Sequence, residues 1–296
     1  MTQATEMFSA RSWLFAPGDS EKKMTKAAAS NADIALIDLE DAVATGEKAN
    51  ARALTAAFLK AQADTSRLWV RINPLDSEYA LADLAAVMPG KPGGIMLPKS
   101  RGRDDLVVLD HYLLALEAAN GIEPGSTKVF PLITETAEGM FTTGTYGGAP
   151  RLVALTWGAE DLADALGASE NRNPDGSYGF TYELARSLCL CGAAAAGVAA
   201  IDTIQGDYKD LDGLRKRATQ CRRAGFRGML AIHPAQVDVI NEAFMPDEAE
   251  IAQAQEIVDL FAANPGVGAI GYKGGMLDRP YLARAQQLLK LAGRVQ

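Results

Sequence analysis

The chain has 296 residues, of which 48% are hydrophobic, and it carries a formal net charge of -8 with a pI near 5.0. This hydrophobic content is enough for a large core, and a chain of this length can form two domains or a single barrel. The acidic balance gives no support for binding to nucleic acid or to an anionic membrane surface. An anionic small molecule in a local pocket is still compatible with it.

No uncharged apolar run reaches the length of a membrane span. The amino-terminal stretch MTQATEMFSARSW lacks a basic segment followed by an apolar one, so no signal peptide is predicted and we expect a cytoplasmic protein. With two histidines and no Cys/His cluster, a zinc site is not expected. We predict that Cys189, Cys191 and Cys221 are reduced core thiols, and that His233 orients a turn.

Strand and helix signals alternate along most of the chain. Apolar runs, several of them ended by proline, predict strands at 12–16, 34–39, 68–72, 94–97, 129–134, 152–157, 199–204 and 228–232. Helical patterns separate nearly all of them, and the polar segment 169–177 is predicted to be a loop over the barrel mouth. Eight strand–helix units predict an α/β fold, a parallel (β/α)₈ TIM barrel. An open doubly wound sheet is the alternative, but no GxGxxG motif follows the first strand.

In a TIM barrel the chemistry lies at the carboxyl ends of the strands, and charged residues follow most of the predicted strands. Glu135 ends the fifth strand, and Asp161 follows the sixth. Two carboxylates at adjacent strand ends suit a hard divalent cation such as Mg²⁺. We therefore predict that these two side chains bind the metal; the alternative is that each of them caps the helix that follows it.

Other charged residues at the strand ends are candidates for the same site. Arg71 lies between apolar neighbours, so it needs a buried acidic partner or an anionic ligand. Asp38 and Glu40 share one face of the second strand because side chains alternate along a strand. Structural ion pairs are the alternative explanation for Asp38, Lys99 and Asp202.

Short motifs that run in order through nearly the whole chain carry a resemblance. They are RSWLFAPG (11–18), DIALIDLEDAV (33–43), Lys48 with Ala51-Arg52, VRIN (70–73), LPK (97–99), ITETAEG (133–139), WGAEDLADALG (157–167), AIDTI (200–204), GFRGMLAIHPAQV (225–237) and GGMLDRP (274–280). The chain resembles the citrate lyase β-subunit-like family of the HpcH/HpaI aldolase superfamily, which is related to malyl-CoA and citramalyl-CoA lyases. The metal-binding glutamate and aspartate of that family correspond to Glu135 and Asp161, and its substrate arginine corresponds to Arg71.

The resemblance also separates branches of the superfamily. Class II pyruvate aldolases carry a catalytic histidine just after the acids of the second strand, and Asp41 stands in that place here. The acyl-CoA lyases instead use an aspartate from a C-terminal segment, which corresponds to Asp278 in LDRP. In the family this aspartate reaches the site of a neighbouring subunit, which implies a homo-oligomer, a trimer or a hexamer. The residues alone would favour an N-cap role for Asp278.

The resemblance implies a Mg²⁺-dependent lyase that cleaves a β-hydroxyacyl thioester, of the citryl-, malyl- or citramalyl-CoA type, into a 2-oxo acid and an acyl thioester. The metal would chelate the 2-oxo acid half, Arg71 would bind the same fragment, and Asp38 and Glu40 would orient Arg71. Asp278 would exchange a proton with the enolate carbon.

Three further expectations complete this interpretation. Arg11 and Lys22, together with Lys23, are the predicted contacts for the phosphates of coenzyme A. Residues 1–245 are predicted to form the catalytic barrel, and residues 246–296 a C-terminal helical extension that contributes to a neighbouring subunit's site. Two alternative functions stay open: a malyl-type thioesterase on the same site, and a carrier-dependent β subunit of a citrate lyase complex.

Overall fold

A computed structural model of the protein describes residues 10–294. Residues 1–9 lie outside the described part; they belong to the amino-terminal stretch in which no signal peptide is predicted. The chain divides into two compact units, one that ends at Asn241 and one that begins at Glu242. Between residues 10 and 294, no helix is both long enough and apolar enough to cross a membrane.

The first unit contains eight parallel strands that alternate with helices, which confirms the predicted barrel. The strands are β1 (Ser12–Pro17), β2 (Ile34–Asp38), β3 (Leu68–Arg71), β4 (Gly94–Leu97), β5 (Lys128–Pro131), β6 (Ala154–Thr156), β7 (Ala199–Asp202) and β8 (Gly228–Ala231). The helices are α1 (Glu21–Ala28), α2 (Lys48–Lys60), α3 (Ala80–Val87), α4 (Arg103–Ala119), α5 (Ala137–Thr142), α6 (Glu160–Ala165), α7 (Phe180–Ala196), α8 (Leu211–Ala224) and α9 (Ala235–Ala243).

The sheet closes on itself between β5 and β6. The regular ladder runs in the order β5-β4-β3-β2-β1-β8-β7-β6, so these two strands form its edges. Isolated parallel bridges join Val129 to Leu152 and Leu132 to Thr156, and the Val129 N–H donates to the Arg151 carbonyl at 2.9 Å. The closure is less regular than the rest of the sheet, but it leaves no long open edge.

Aromatic side chains fill the barrel interior. Trp13 meets Trp69 edge to face with 5.1 Å between ring centroids, and Phe130 lies 4.4 Å from Trp13. Gly94 leaves the room that the Trp69 indole needs, because a Cβ there would lie 2.4 Å from the ring. Side chains of a strand alternate between its two faces, so Arg71 follows Trp69 on the interior face, at the carboxyl end of the core.

The second unit holds α10 (Glu248–Ala263), β9 (Ala269–Tyr272), β10 (Gly275–Asp278) and α11 (Arg279–Leu291). Its helices were expected from the sequence, but the β9–β10 hairpin was not. Lys273 and Gly274 form the hairpin turn, and both have positive φ, 46° and 81°. The unit has an apolar cluster of its own, which includes Ile257, Phe261 and Leu289.

One prediction about the cysteines is wrong. Cys189 and Cys221 are buried free thiols, as expected, but Cys191 is exposed. It lies two residues after Cys189 on α7, and a helix turns by about 200° over two residues. The same geometry that buries Cys189 therefore turns Cys191 towards solvent.

A buried ion pair braces the place where the barrel closes. Glu117 of α4 is fully buried and accepts hydrogen bonds from Arg151 Nη2 at 2.8 Å and from the backbone N–H groups of Gly125 and Thr127 at 2.7 and 2.9 Å. Burial alone would raise the pKa of Glu117, but these bonds lower it to about 2. Arg151 precedes β6 and Thr127 precedes β5, so Glu117 ties together the amino ends of both edge strands.

We therefore expect Glu117→Gln to lower the free energy of unfolding by about 3 kcal/mol at neutral pH, because it removes the charged partner of Arg151 Nη1 and Nη2 and leaves only Asp110 at Nε. The carboxylate has a lower pKa in the folded state than in the unfolded one, so its contribution is complete above about pH 4.5 and is lost as the pH falls towards 2. Urea unfolding of the variant and the wild type at several pH values measures this. The exposed Glu123→Gln is the control, and equal stability of both variants at pH 7 would contradict the brace.

Candidate active site

The predicted site residues of the barrel come together at the carboxyl ends of adjacent strands. Asp38 ends β2, Arg71 ends β3, Lys99 follows β4, Glu135 follows β5 and Asp161 lies in the first turn of α6 after β6. The parallel register of the sheet brings these ends to one rim of the barrel.

Arg71 is held on two sides by acids of β2 and of the loop after it. Its Nε and Nη2 donate to the two carboxylate oxygens of Asp38 at 2.7 and 2.6 Å, and Glu40 Oε2 lies 2.8 Å from Nη1. Arg71 and Asp38 are direct partners in the β2–β3 register. The aromatic ring of Phe15 lies 4.8 Å from the guanidinium carbon and supports its face.

The loop after β2 is fixed by the same carboxylate and by one lysine. Asp38 accepts from the backbone N–H groups of Glu40 and Ala42 at 2.9 and 3.0 Å. Lys48 of α2 donates through Nζ to the carbonyls of Leu39 and Glu40 at 2.8 and 2.7 Å. Sequence reasoning gave no role to Lys48 beyond its place in a family motif, and the structure assigns it this anchoring of the loop.

Glu135 and Asp161 are joined through Lys99. The Lys99 backbone N–H donates to Glu135 Oε2 at 2.6 Å, and its Nζ lies 2.9 Å from Asp161 Oδ1 and 2.7 Å from Glu40 Oε1. Gly158 brings the loop after β6 against Glu135, because a Cβ at this glycine would lie 3.2 Å from the Glu135 Cγ. Neither acid caps a helix by a side-chain bond: α5 is capped by Thr136, and α6 has no such cap.

Burial and neighbouring charges separate the pKa values of these acids. Burial raises the pKa of Glu135 well above its usual range, and the charges of Glu40 and Asp161 add to this. Burial also raises the pKa of Glu40 to about 7, against the attraction of Arg71. For Asp38 the effect of burial is outweighed by the guanidinium of Arg71, which lowers its pKa.

The charges of the cluster are not balanced. Five carboxyl groups face three cationic side chains, which is a formal excess of two negative charges when every acid is ionised, and the raised pKa values of Glu40 and Glu135 reflect it. The acids are Asp38, Glu40, Asp41, Glu135 and Asp161, and the cations are Lys48, Arg71 and Lys99. The atoms that these acids can offer to a metal are all carboxylate oxygens, which suit a hard divalent cation. Within residues 10–294 no group of three or more His, Cys, Asp and Glu side chains is arranged to hold a metal, so such a cation would have two protein carboxylates, as Mg²⁺ often does.

The contacts of two other candidates, Asp202 and His233, are explained by structural roles. Asp202 is fully buried and is satisfied by Trp157 Nε1, by the Cys221 thiol and by the guanidinium groups of Arg186 and Arg217. His233 accepts from the Ala235 N–H through Nδ1 at 3.2 Å, as expected of a residue that orients a turn.

Arg11 does not lie at this rim. It directly precedes β1, at the amino end of the barrel, and its Nε and Nη2 pair with Asp33 at 3.0 and 3.1 Å. Its position argues against the predicted contact with coenzyme A, because the site lies at the opposite ends of the strands. Lys22 is exposed in the first turn of α1, which begins directly after β1 at the site's own rim.

A cavity of about 380 Å³ lies beside the carboxyl end of β1. Its walls include Phe15 and Pro17 of β1, Lys23 and Lys26 of α1, and His233. The predicted loop 169–177 lies near the ends of β6 and β7, where Arg172 stacks on Tyr178 at 4.0 Å and both line a second cavity with Ile204.

Asp278 belongs to the second unit and is the last residue of β10. It occupies the N-cap position of α11, but its side chain makes no capping hydrogen bond. Its Oδ1 is buried and has no hydrogen-bond partner among residues 10–294. The capping alternative is therefore not supported by the geometry.

Comparisons with known proteins show the family of this chain. The model of the HpcH/HpaI aldolase/citrate lyase family matches residues 11–234. A citrate lyase subunit beta-like protein of Mycobacterium tuberculosis is 34% identical over 281 residues, 95% of each chain. A (3S)-malyl-CoA thioesterase of Cereibacter sphaeroides is 35% identical over 288 residues, 95% of this chain and 94% of that protein.

A solved structure is similar over nearly the whole chain. It is that of the protein CitE from Mycobacterium tuberculosis in complex with magnesium, acetoacetate and coenzyme A. It has a TM-score of 0.83 and 32% identity, and the match covers 97% of this chain and 99% of that one. The chain belongs to the HpcH/HpaI aldolase/citrate lyase family, a family of lyases.

Proposed function

We propose that this chain is a Mg²⁺-dependent carbon–carbon lyase that cleaves a β-hydroxyacyl thioester into a 2-oxo acid and an acyl thioester. The observation that carries the proposal is the buried, oriented guanidinium of Arg71 next to Glu135 and Asp161. These two acids belong to a cluster in which carboxyl groups outnumber cationic side chains. The similar CitE structure, which holds magnesium, acetoacetate and coenzyme A, supports the same ligand classes.

Arg71 is suited to bind the carboxylate of the oxo acid. A guanidinium has five N–H groups; Asp38 takes two of them, and Glu40 approaches the third nitrogen. At least two N–H groups are left, one on each terminal nitrogen, in the fork that matches a carboxylate. Because Asp38 and Phe15 fix the plane of the group, Arg71 also offsets charge that develops on a substrate oxygen without moving.

Glu135 and Asp161 would hold Mg²⁺, which supplies Lewis-acid polarisation of the oxo-acid oxygens when it is bound. With all its acids ionised, the cluster would have a formal excess of two negative charges, which a divalent cation would neutralise. Gly158 keeps the loop after β6 against Glu135, so the two ligands stay together.

The thioester half would lie beside α1. The cavity at the end of β1 carries Lys23 and Lys26, and Lys22 is exposed on the same helix. Lysines bind phosphate as mobile point charges, so we assign the phosphates of coenzyme A to this face of the barrel in place of Arg11.

Asp278 would exchange the proton with the enolate carbon in a neighbouring subunit of a homo-oligomer, a trimer or a hexamer. Its unpartnered Oδ1 is available for this role.

Two alternatives use the same site. The identity to (3S)-malyl-CoA thioesterase favours hydrolysis of a malyl-type thioester as the second candidate. The identity to a citrate lyase subunit beta-like protein leaves a carrier-dependent β subunit as the third. Each predicts its own products or its own requirement for a carrier.

Product analysis tests the proposal. We expect purified protein with Mg²⁺ to convert at least one of citryl-CoA, malyl-CoA and citramalyl-CoA to an acyl-CoA and a 2-oxo acid, identified by mass spectrometry. Excess EDTA should abolish turnover, and Glu135→Gln should do the same while the exposed Glu138→Gln does not. Free coenzyme A with the intact hydroxy acid would identify a thioesterase, inactivity without an acyl-carrier partner would favour the third candidate, and full activity in EDTA would refute the metal site.

Arg71→Lys should lower kcat/KM on the order of 10²-fold, because lysine keeps the charge but loses the planar fork and the two-point pairing with Asp38. Steady-state kinetics with the accepted thioester measure this. Arg101→Lys is the matched control, since Arg101 is a more exposed arginine after β4 that pairs with Asp76. Unaltered turnover of the Arg71 variant would mean that the residue is only an internal ion-pair partner.

Asp278→Asn should lower turnover roughly 10²-fold or more, because asparagine keeps the shape but cannot accept the proton. Asp247→Asn is the control: Asp247 is the N-cap of α10 and does cap it, and asparagine caps about as well. Mixing Asp278→Asn subunits with Arg71→Ala subunits should restore partial activity, since some hybrid sites combine an intact barrel with an intact neighbouring tail. No recovery after demonstrated subunit exchange would refute the intersubunit arrangement.

A further inference from the structure

We infer that the Lys99 ammonium takes the place of the metal's charge in the metal-free protein and moves from Asp161 towards Asp41 when the metal binds. This inference rests on the proposed metal site of Glu135 and Asp161. It adds a residue that sets how strongly that site binds its cation.

Lys99 contacts both proposed metal ligands through different atoms. Its Nζ lies 2.9 Å from Asp161 Oδ1, and its backbone N–H donates to Glu135 Oε2 at 2.6 Å. The side chains of Lys99 and Asp161 are 29% and 30% exposed, so the pair lies at the boundary between the buried cluster and solvent. A divalent cation held by Asp161 and Glu135 would come close to this ammonium, and like charges at such distances in a half-buried site repel strongly.

The backbone of Lys99 holds the residue at this place. Its φ is 51°, in the left-handed region that residues other than glycine rarely adopt. Such conformations persist where the surrounding structure determines them, and they are frequent at functional sites. The conformation aims the N–H at Glu135 while the side chain extends across to Asp161, so the backbone contact does not depend on where the ammonium lies.

A second position for the ammonium already exists in the cluster. Glu40 Oε1 is 2.7 Å from Nζ, and Asp41 Oδ1 is 3.9 Å away with its side chain 54% exposed. A rotation of the flexible lysine stem can keep the contact with Glu40 and exchange Asp161 for Asp41. Loss of the Asp161 contact is thereby offset by a partner of the same chemistry, which makes the displacement reversible.

The consequence is a metal site whose affinity is lowered by its own lysine. Mg²⁺ must displace the ammonium, and the ammonium returns when Mg²⁺ leaves. A lysine that only supported the carboxylates in place would act in the opposite direction, because its removal would loosen the two ligands and weaken the metal.

Metal titration of the full-length protein without substrate distinguishes these two roles. We expect Lys99→Met to bind Mg²⁺ more tightly than the wild type, on the order of tenfold, as measured by isothermal titration calorimetry. Lys91→Met is the matched control, because Lys91 also has φ of 51° but is exposed at the amino end of β4. Its removal changes the net charge equally and should leave the affinity unchanged.

Unchanged or weaker Mg²⁺ binding by Lys99→Met, with binding abolished in Glu135→Gln, would overturn the role of Lys99 and keep the metal site. If neither the wild type nor Lys99→Met binds Mg²⁺, the metal site and this inference both fail. A crystal structure of the wild type with Mg²⁺ gives an answer that does not need the variant to fold. The Lys99 Nζ should then contact Glu40 and Asp41, and an ammonium still bonded to Asp161 would refute the displacement.

Discussion

The buried ion pair between Arg71 and Asp38 is the constraint on which the barrel mouth depends. A guanidinium on an apolar strand is costly without a partner, and here its partner lies directly opposite in the β2–β3 register. The sheet itself therefore fixes the plane of the fork. Asp38 also accepts from the Glu40 and Ala42 backbone, so the carboxylate that holds the guanidinium also shapes the loop that carries the next acid.

Together with Glu135 and Asp161, the acids of that loop outnumber the cationic side chains around them. Glu40 is buried with its pKa raised to about 7, and burial raises the pKa of Glu135 well above its usual range. Groups in this state are stabilised either by protons or by an added cation, so metal binding and proton uptake are alternatives at the same place. The acids of the site thus repel one another, and this repulsion is located where the proposed carboxylate substrate would bind.

The barrel strands and most of the charged residues at their carboxyl ends could be predicted from the sequence, and the features that could not be predicted have physical reasons. The eight strands follow from apolar runs ended by proline or by acids, and Arg71 stood out because a charge interrupts such a run. The β9–β10 hairpin was not predicted because its turn, Lys273-Gly274, lacks the usual Asn-Gly or Asp-Gly signal. Arg11 was predicted to contact coenzyme A because it lies in a family motif, but it pairs with Asp33 at the amino end of β1, opposite the site. The contact of the Lys99 backbone N–H with Glu135 could not be predicted, because the sequence does not show the positive φ of Lys99 that accompanies it.

The distribution of hydrogen-bond partners also favours the proposed role of Asp278 in proton transfer. Asp38 is paired with Arg71, and Glu40 and Asp161 share the ammonium of Lys99. The lone pairs of a carboxylate in such contacts point towards these cations and not towards a substrate carbon. By contrast, Asp278 Oδ1 is buried without a hydrogen-bond partner among the described residues. The proposed role in proton transfer uses this oxygen, because no partner turns its lone pairs away from a substrate carbon.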